Sequence, residues 1–363
     1  MADVVYLHVG APKTGTTYLQ GRLYRNRSSL ASHDVSYPSG LRRDMFAGAL
    51  DLIDRPWKGQ REEVRGEWEA LASRVRRAGG TAIISHEILA SATEEQVDRA
   101  LASLGDAEIH LVYSSRDLGR QIPAEWQESI KHRSRRSFRK YLALVRKHDQ
   151  VDSALWFWRV HSLPDVLRRW TRAIPPERVH LITVPPSGAD PDELWRRFCR
   201  ACSIDPAWGP SAGGRANTSL GIEEIAVLRD LNRRLRKAGM DSASYGRLVR
   251  EGLAQEVLAQ RPRMRKAVLP PDHREWATQT AEGWIEWVTR ARIDVVGDLA
   301  DLRPVFPPAE EKWRNPDKPR PRVVRDAAMT ALVAALMEVD NRPDPADQPL
   351  AKLGRAARRL RNR

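Results

Sequence analysis

Cysteine is nearly absent from this sequence, with two among 363 residues. Two thiols cannot build the disulfide framework of a small secreted domain, so an apolar core must hold the chain and a reducing compartment suits it. Long apolar runs are missing too. Residues 331–337 fall far short of the roughly 20 needed to cross a bilayer. No basic stretch leading into an apolar one precedes the first strand, so neither a span nor a signal peptide is expected, and a cytoplasmic location follows as the expectation. No internal repeat is visible, which argues against a solenoid. Acidic excess is absent as well: 61 Lys and Arg against 47 Asp and Glu leave +14. Such a surplus attracts anions, whether nucleic acid, an anionic cofactor or an acidic substrate. Much of it is diffuse, at 133–139 and 355–363, so charge alone selects none of these. What is present in quantity is apolar: 41% hydrophobic residues supply a core and exclude global disorder.

Four runs rich in Val, Ile and Leu, at 4–9, 81–85, 109–114 and 179–184, read as buried parallel strands. Helical patterns at 16–26 and 66–78 separate them, and Thr93 followed by Glu94 and Glu95 reads as a helix cap with favourable acids behind it. The alternation predicts an α/β fold of three layers with a mostly parallel central sheet, its ligand crevice at the carboxyl ends of the strands. After Pro185 and Pro186 the patterns turn helical, at 192–202, 222–238, 244–259 and 274–291, with a last short strand at 293–296. Residues 155–170 read as one Arg-flanked helix. The expected division is an α/β domain over 1–300, with core strands in 4–185 and a helical part over 190–300. A Pro- and Arg-rich linker, a closing helix at 327–339 and a loose basic tail then fill 301–363.

The stretch Gly10-Ala-Pro-Lys-Thr-Gly-Thr-Thr17 follows the first strand directly and opens a helix. At such a junction a glycine-bounded turn lets backbone N–H groups converge on an anion, and the helix amino end adds partial positive charge. Lys13 supplies a mobile cation; Thr16 and Thr17 add hydroxyls. The spacing is that of a P-loop with one difference. Thr16, not lysine, follows Gly15, and the cation sits inside the loop at Lys13. The loop therefore suits phosphate without being the loop of an ordinary ATPase.

Leu7-His-Val-Gly-Ala-Pro-Lys-Thr-Gly-Thr-Thr-Tyr-Leu-Gln20 resembles the 5′-phosphosulfate loop of the PAPS-dependent sulfotransferase family, particularly its bacterial members. The resemblance continues in Ile84-Ser-His-Glu87, Tyr113-Ser-Ser-Arg-Asp117, Asn217-Thr-Ser-Leu-Gly221 and Ile293-Asp-Val-Val-Gly-Asp-Leu299. It implies a P-loop-type fold and a co-substrate, 3′-phosphoadenosine 5′-phosphosulfate, whose sulfuryl group passes to a hydroxyl or amine. It places the 5′-phosphate against Pro12, Lys13, Thr14, Gly15, Thr16 and Thr17, and the 3′-phosphate against Arg116, whose planar fork suits two phosphate oxygens. The alternative role for Arg116 is an ion pair with Asp117. Where the family often carries a serine eight residues after that arginine, this sequence has Ala124; Arg120, Gln121 or a backbone N–H are the candidate substitutes, with Ser115 nearby. Lys13 would neutralise charge on the bridging oxygen, and Glu87, preferred narrowly over His86, would serve as base. Strand alternation sends those two to opposite sides, and either can instead cap a helix or pair with an arginine. No metal is expected, and the acceptor is a small molecule, glycan or lipid.

Two other functions compete. A nucleotide kinase would use the same topology with ATP and Mg²⁺, and a basic nucleic-acid-binding protein would carry the loop inactive. Smaller signals have plain readings. Cys199-Arg-Ala-Cys202 has redox spacing but lies in an amphipathic helix, where packing is expected. Trp156, Trp158 and Trp170 read as core, with adenine stacking or an acceptor-pocket wall as the alternative, His8 as packed behind the loop, and 131–139 as a solvated helix face or, alternatively, a guide for anions. Trp126 and Gln127 are candidates to face the crevice, Arg215 and residues 217–219 to close over the donor, and 32–61 to shape the acceptor pocket.

Overall fold

The structure, a computed structural model, describes residues 2–41, 44–54, 63–148, 155–211, 219–308 and 310–341. Six strands, β1 (Val4–His8), β2 (Val35–Ser36), β3 (Thr81–Ser85), β4 (Glu108–Ser115), β5 (Val179–Thr183) and β6 (Asp294–Val296), form one sheet in the order β2-β3-β1-β4-β5-β6. Every pairing is parallel. A parallel sheet needs cover on both faces, and β1 shows the result: Val5 and Leu7 on one face, and Tyr6 and His8 on the other, are all buried. The runs expected from sequence are present to within a residue or so at each end. Strand β2 was not legible, because two residues are too few for any periodicity.

Besides Asp44–Leu52 and shorter pieces, the helices are α1 (Thr16–Arg25), α2 (Glu67–Arg77), α3 (Glu94–Ser103), α4 (Leu118–Lys131), α5 (Phe138–Lys147), α6 (Trp156–His161), α7 (Leu163–Trp170), α8 (Glu193–Ala201), α9 (Ile222–Lys237), α10 (Arg274–Ala291) and α11 (Pro321–Asp340). Helix α3 begins with the expected cap, completed by Gln96 into a reciprocal pair with Thr93. The single helix expected over 155–170 is two, α6 and α7. Pro164 sits in the first turn of α7, where its missing N–H costs nothing; in a continuous helix it would remove a hydrogen bond and clash with the preceding turn. The basic stretch 131–139 is not a helix face. Helix α4 stops at Lys131, Arg133 takes a left-handed φ of 70°, and Ser137 caps α5. Residues 245–257 are helical with wide π-type turns.

Contacts group the chain into two units. One comprises Met1–Ser129, Arg136–Asn217 and Ala267–Asn315 and contains the whole sheet; the other comprises Ile130–Arg135, Thr218–Lys266 and Pro316–Arg363. Neither ends at residue 300, where composition changes. Instead the proline-rich wrap stays with the sheet, and Trp313 Nε1 donates to Val268 O at 3.1 Å within that unit. In the sheet unit α7 packs on β4 and α8 on β5 and β6. In the second unit α11 packs on α9 and on 245–257, and Arg261 bridges Glu224 at 2.9 Å and Asp326 at 2.7 Å. No helix among the described residues is long and apolar enough to cross a membrane.

His8 is fully buried in the middle of the sheet. Its Nδ1 lies 2.8 Å from Ser85 Oγ on β3 and its Nε2 lies 3.1 Å from Ser114 Oγ on β4, so one ring ties three adjacent strands. Burial pushes its pKa down to about 4. The unfolded chain, with a histidine near 6.5, therefore takes up a proton that the folded imidazole refuses, and stability must fall as pH falls from 6.5 toward 4. The loss expected from this ring is roughly 3 kcal/mol. Chemical denaturation measured across that pH range checks it: His8→Gln should flatten the slope, and an unchanged slope would place the proton elsewhere.

Candidate functional site

The direction in which the chain crosses the sheet reverses about β1, with β3 and β2 on one side and β4, β5 and β6 on the other. Open α/β sheets place their ligand crevice at such a switch point, outside the carboxyl ends of the strands. The loop and the catalytic and phosphate-binding candidates Lys13, His86, Glu87 and Arg116 follow strand ends at this edge. The loop at 10–17 follows β1, His86 and Glu87 follow β3, and Arg116 follows β4.

The loop is an extension of the β1–β4 ladder that then turns sharply. Ala11 N–H donates to Ser114 O at 2.8 Å and Ser114 N–H to Gly10 O at 2.6 Å. A Cβ on Gly10 would come within 3.1 Å of Glu87 O, so only glycine lets the chain after β3 pack this closely. Lys13 (φ 63°) and Gly15 (φ 92°) are left-handed. Three side chains hold the loop's carbonyls: Thr14 Oγ1 donates to Ala11 O (2.6 Å), Gln121 Nε2 to Pro12 O (2.9 Å) and Arg116 Nη1 to Lys13 O (3.3 Å). Helix α1 starts on Gly15 with no side-chain cap and no acid in its first turn. Its amino-terminal partial charge is therefore uncompensated by its own helix.

The charged groups around the loop are paired unevenly. Lys13 Nζ lies 2.5 Å from Glu128 Oε2 of α4, with both side chains partly exposed. Glu87 accepts from Gln20 Nε2 at 2.9 Å. Burial alone would raise the Glu87 pKa, but nearby His86, the Gln20 hydrogen bond and Lys13 outweigh it and hold the carboxyl below its ordinary value, so it is ionised at neutral pH. His86 is buried and its pKa lowered by burial; its Nδ1 accepts from Ile88 N–H at 3.3 Å, capping the short turn Glu87–Ser91. With Nδ1 used as an acceptor, the neutral ring carries its proton on Nε2, which leaves it poorly suited to accept another. Arg116 keeps its charge although burial and Arg120 lower its pKa to about 10, and its Nε is buried without a hydrogen-bond partner.

Several sequence candidates are occupied elsewhere. Asp117 binds Arg120, not Arg116: it accepts from the Arg120 backbone at 2.9 Å and pairs with its side chain. Arg120 also reaches Pro185 O at 2.9 Å, so it ties β4 to the end of β5. Gln121 braces Pro12, and the Thr14 hydroxyl is spent inside the loop. Thr16 is buried and Thr17 exposed. Trp126 does not line the crevice; it is fully buried, packs at a tilt against Phe138 and donates to Arg136 O at 3.1 Å. Gln127 is buried, and Ser115 is buried at the end of β4. Trp158 and Trp170 are core residues whose N–H groups donate to Val145 O and Leu89 O, and Trp156 donates to Glu125 Oε1 at 2.9 Å. Cys199 and Cys202 are buried free thiols with pKa values raised by burial, which suits packing. Arg215 and residues 217–218, the basic tail after 341, and 42–43 and 55–62 of the acceptor region lie outside the described residues.

Sequence reasoning missed three polar groups beside the loop: Gln20, Glu125 and Glu128. Glu125 is buried with Oε2 3.5 Å from His161 Nε2, and His161 lies 3.3 Å from Gln121. The signal was available. Gln121, Glu125 and Glu128 stand at i, i+4 and i+7, one face of a helix that directly follows Arg116. Among the described residues no group of three or more His, Cys, Asp or Glu is placed to hold a metal ion.

Gly15 offers a direct test of the loop's geometry. It is left-handed, and a Cβ there would sit 2.4 Å from Leu194 Cδ2. Gly15→Ala is expected to cost about 1–3 kcal/mol of stability. Leu194→Ala in the same chain should return the steric part and not the backbone part, read by denaturant unfolding. Compared with models of known families, with curated proteins and with solved structures, the chain finds no match, so its chemistry rests on the geometry of this edge alone.

Proposed function

We propose that the chain is a P-loop-type sulfotransferase that moves a sulfuryl group from 3′-phosphoadenosine 5′-phosphosulfate to a hydroxyl or amine. One observation carries the reading. At the switch point of a parallel sheet, an uncapped helix amino end, a lysine in the turn before it, and an arginine with an unpartnered buried Nε converge. Together they form an anion site with separated positive centres, which suits a nucleotide carrying phosphate at both its 5′ and 3′ positions. Loop residues Pro12–Thr17 would hold the 5′-phosphate, and Arg116 the 3′-phosphate, with no serine at position 124 to assist.

In such a reaction the acceptor oxygen forms a bond to sulfur while the bond between sulfur and the bridging oxygen breaks, and the electron pair leaves on the 5′-phosphate. Lys13 is the cation available to neutralise that leaving charge. It must first exchange its contact with Glu128 for the donor, so the donor competes with an internal carboxylate. The acceptor's proton needs a base. Glu87 is ionised and within electrostatic reach of Lys13, whereas His86 already uses Nδ1 as an acceptor. This supports Glu87, with Glu128 a second carboxylate at the same cation. The kinase alternative is disfavoured by the absence of lysine after Gly15.

Calorimetry with adenosine 3′,5′-bisphosphate, the phosphosulfate donor and ATP with Mg²⁺ tests the proposal. The bisphosphate should bind, and Arg116→Ala should weaken it roughly tenfold to a hundredfold, the value of charged hydrogen bonds. Tight ATP binding without bisphosphate binding would overturn the assignment. Turnover, read as bisphosphate release with a panel of phenols and sugars, should fall by about 10²–10³ in Lys13→Ala. Glu87→Gln should fall about 10²–10⁴ and His86→Ala much less. Glu128→Gln should tighten bisphosphate binding, because Lys13 no longer has to be released.

A further inference from the structure

Helix α11 is built the wrong way round for a helix that ends at solvent. Its inward row, against α9 and residues 245–257, is mostly small: Ala327 is buried, and Val323, Val324, Thr330, Ala331 and Ala334 are partly covered. Its larger apolar side chains beyond the first turn face out. Met329, Leu332, Val333, Leu336, Met337 and Val339 are each 50–61% exposed. Six of the nine exposed large hydrophobics among the described residues thus lie on one helix. Scattered exposed apolar residues are ordinary, but a contiguous stripe marks a contact surface.

The charges on the helix identify the partner. Arg322 and Arg325 are exposed near the amino end, and Glu338 and Asp340 near the carboxyl end. Both pairs oppose the helix's own dipole, which favours acids at the start and bases at the end. A second α11 running antiparallel reverses that penalty. With a two-fold axis passing between Leu332 and Val333, each Leu332 faces the second copy's Val333, Met329 faces Leu336, and Arg325 faces Asp340. A closed two-fold pair needs this self-complementarity: Met329, Leu332, Val333 and Leu336 pair among themselves about the same point as Arg325 with Asp340, while Met337 and Val339 fall opposite Ala328 and Asp326.

We infer that α11 is the interface of a homodimer, with two copies packed antiparallel along residues 325–340. The six side chains offer roughly 600 Å² of apolar surface per copy, somewhat below the about 800 Å² per partner of a standard interface, so a weak, reversible dimer is expected. The inference is independent of the reaction proposed above.

Sedimentation equilibrium on the full chain, from about 1 to 100 µM, reads the outcome. The wild type should pass from monomer to dimer. Leu336→Glu, at a position 60% exposed and therefore without cost to the core, should weaken association at least tenfold or so, with an unchanged circular dichroism spectrum. Arg325→Asp should also weaken it, and Arg325→Asp combined with Asp340→Arg in the same chain should restore it. That rescue is specific to the antiparallel register, since a parallel pair sets 325 against 325. A wild type that stays monomeric throughout the range, a dimer untouched by Leu336→Glu, or a monomer whose stripe instead binds phosphatidylserine vesicles would each overturn the inference.

Discussion

The structure turns on the passage from β1 to α1. A strand buried on both faces must become a helix within seven residues, at the centre of a parallel sheet, with every backbone polar group accounted for. The chain manages this by carrying the β1–β4 ladder as far as Ala11, then tying the carbonyls of Ala11, Pro12 and Lys13 to Thr14, Gln121 and Arg116. Left-handed Lys13 and Gly15 complete the turn. The amino end of α1 is left without a side-chain cap, and the proposed anion site is a by-product of building this turn.

Electrostatics at this edge separates structural charge from available charge. Many of the 61 basic residues are committed elsewhere: Arg120 to Asp117, Arg22 to Asp192, and Arg197 to Glu193 and Asp301. Arg116 differs because its neighbouring acid is taken by Arg120, which leaves it charged, half-buried and short of one acceptor. Lys13 differs because it is itself more exposed than Arg120, Arg22 or Arg197, with Glu128 partly exposed as well, so the pair is open to exchange. A dianionic ligand can supply to both what the protein does not.

The two contact units carry different kinds of information. The sheet unit buries Trp68, Trp126, Trp158, Trp170 and Trp195 and carries the proposed site at the carboxyl ends of its strands. The other unit is organised around arginine bridges to Glu224, Asp326 and Glu223, and presents its largest apolar side chains outward on α11. An apolar stripe costs solubility unless it is covered, which the proposed pairing of two α11 helices would do.

Sequence alone determined the strands β1, β3, β4, β5 and β6, the loop and the cap at Thr93, because each depends on local periodicity or on glycine and proline at a fixed place. It also brought forward Lys13, Glu87 and Arg116, since residues that follow parallel strands share an edge by topology. Tertiary structure decided the rest. It gave Asp117 to Arg120, set Nδ1 of His86 to capping, placed Glu128 on Lys13 and grouped the wrap at 301–315 with the sheet. These outcomes depend on which side chains, distant in sequence, arrive first at the same partner. No local pattern encodes that competition, because its energies exist only once the strands have brought the competitors within reach.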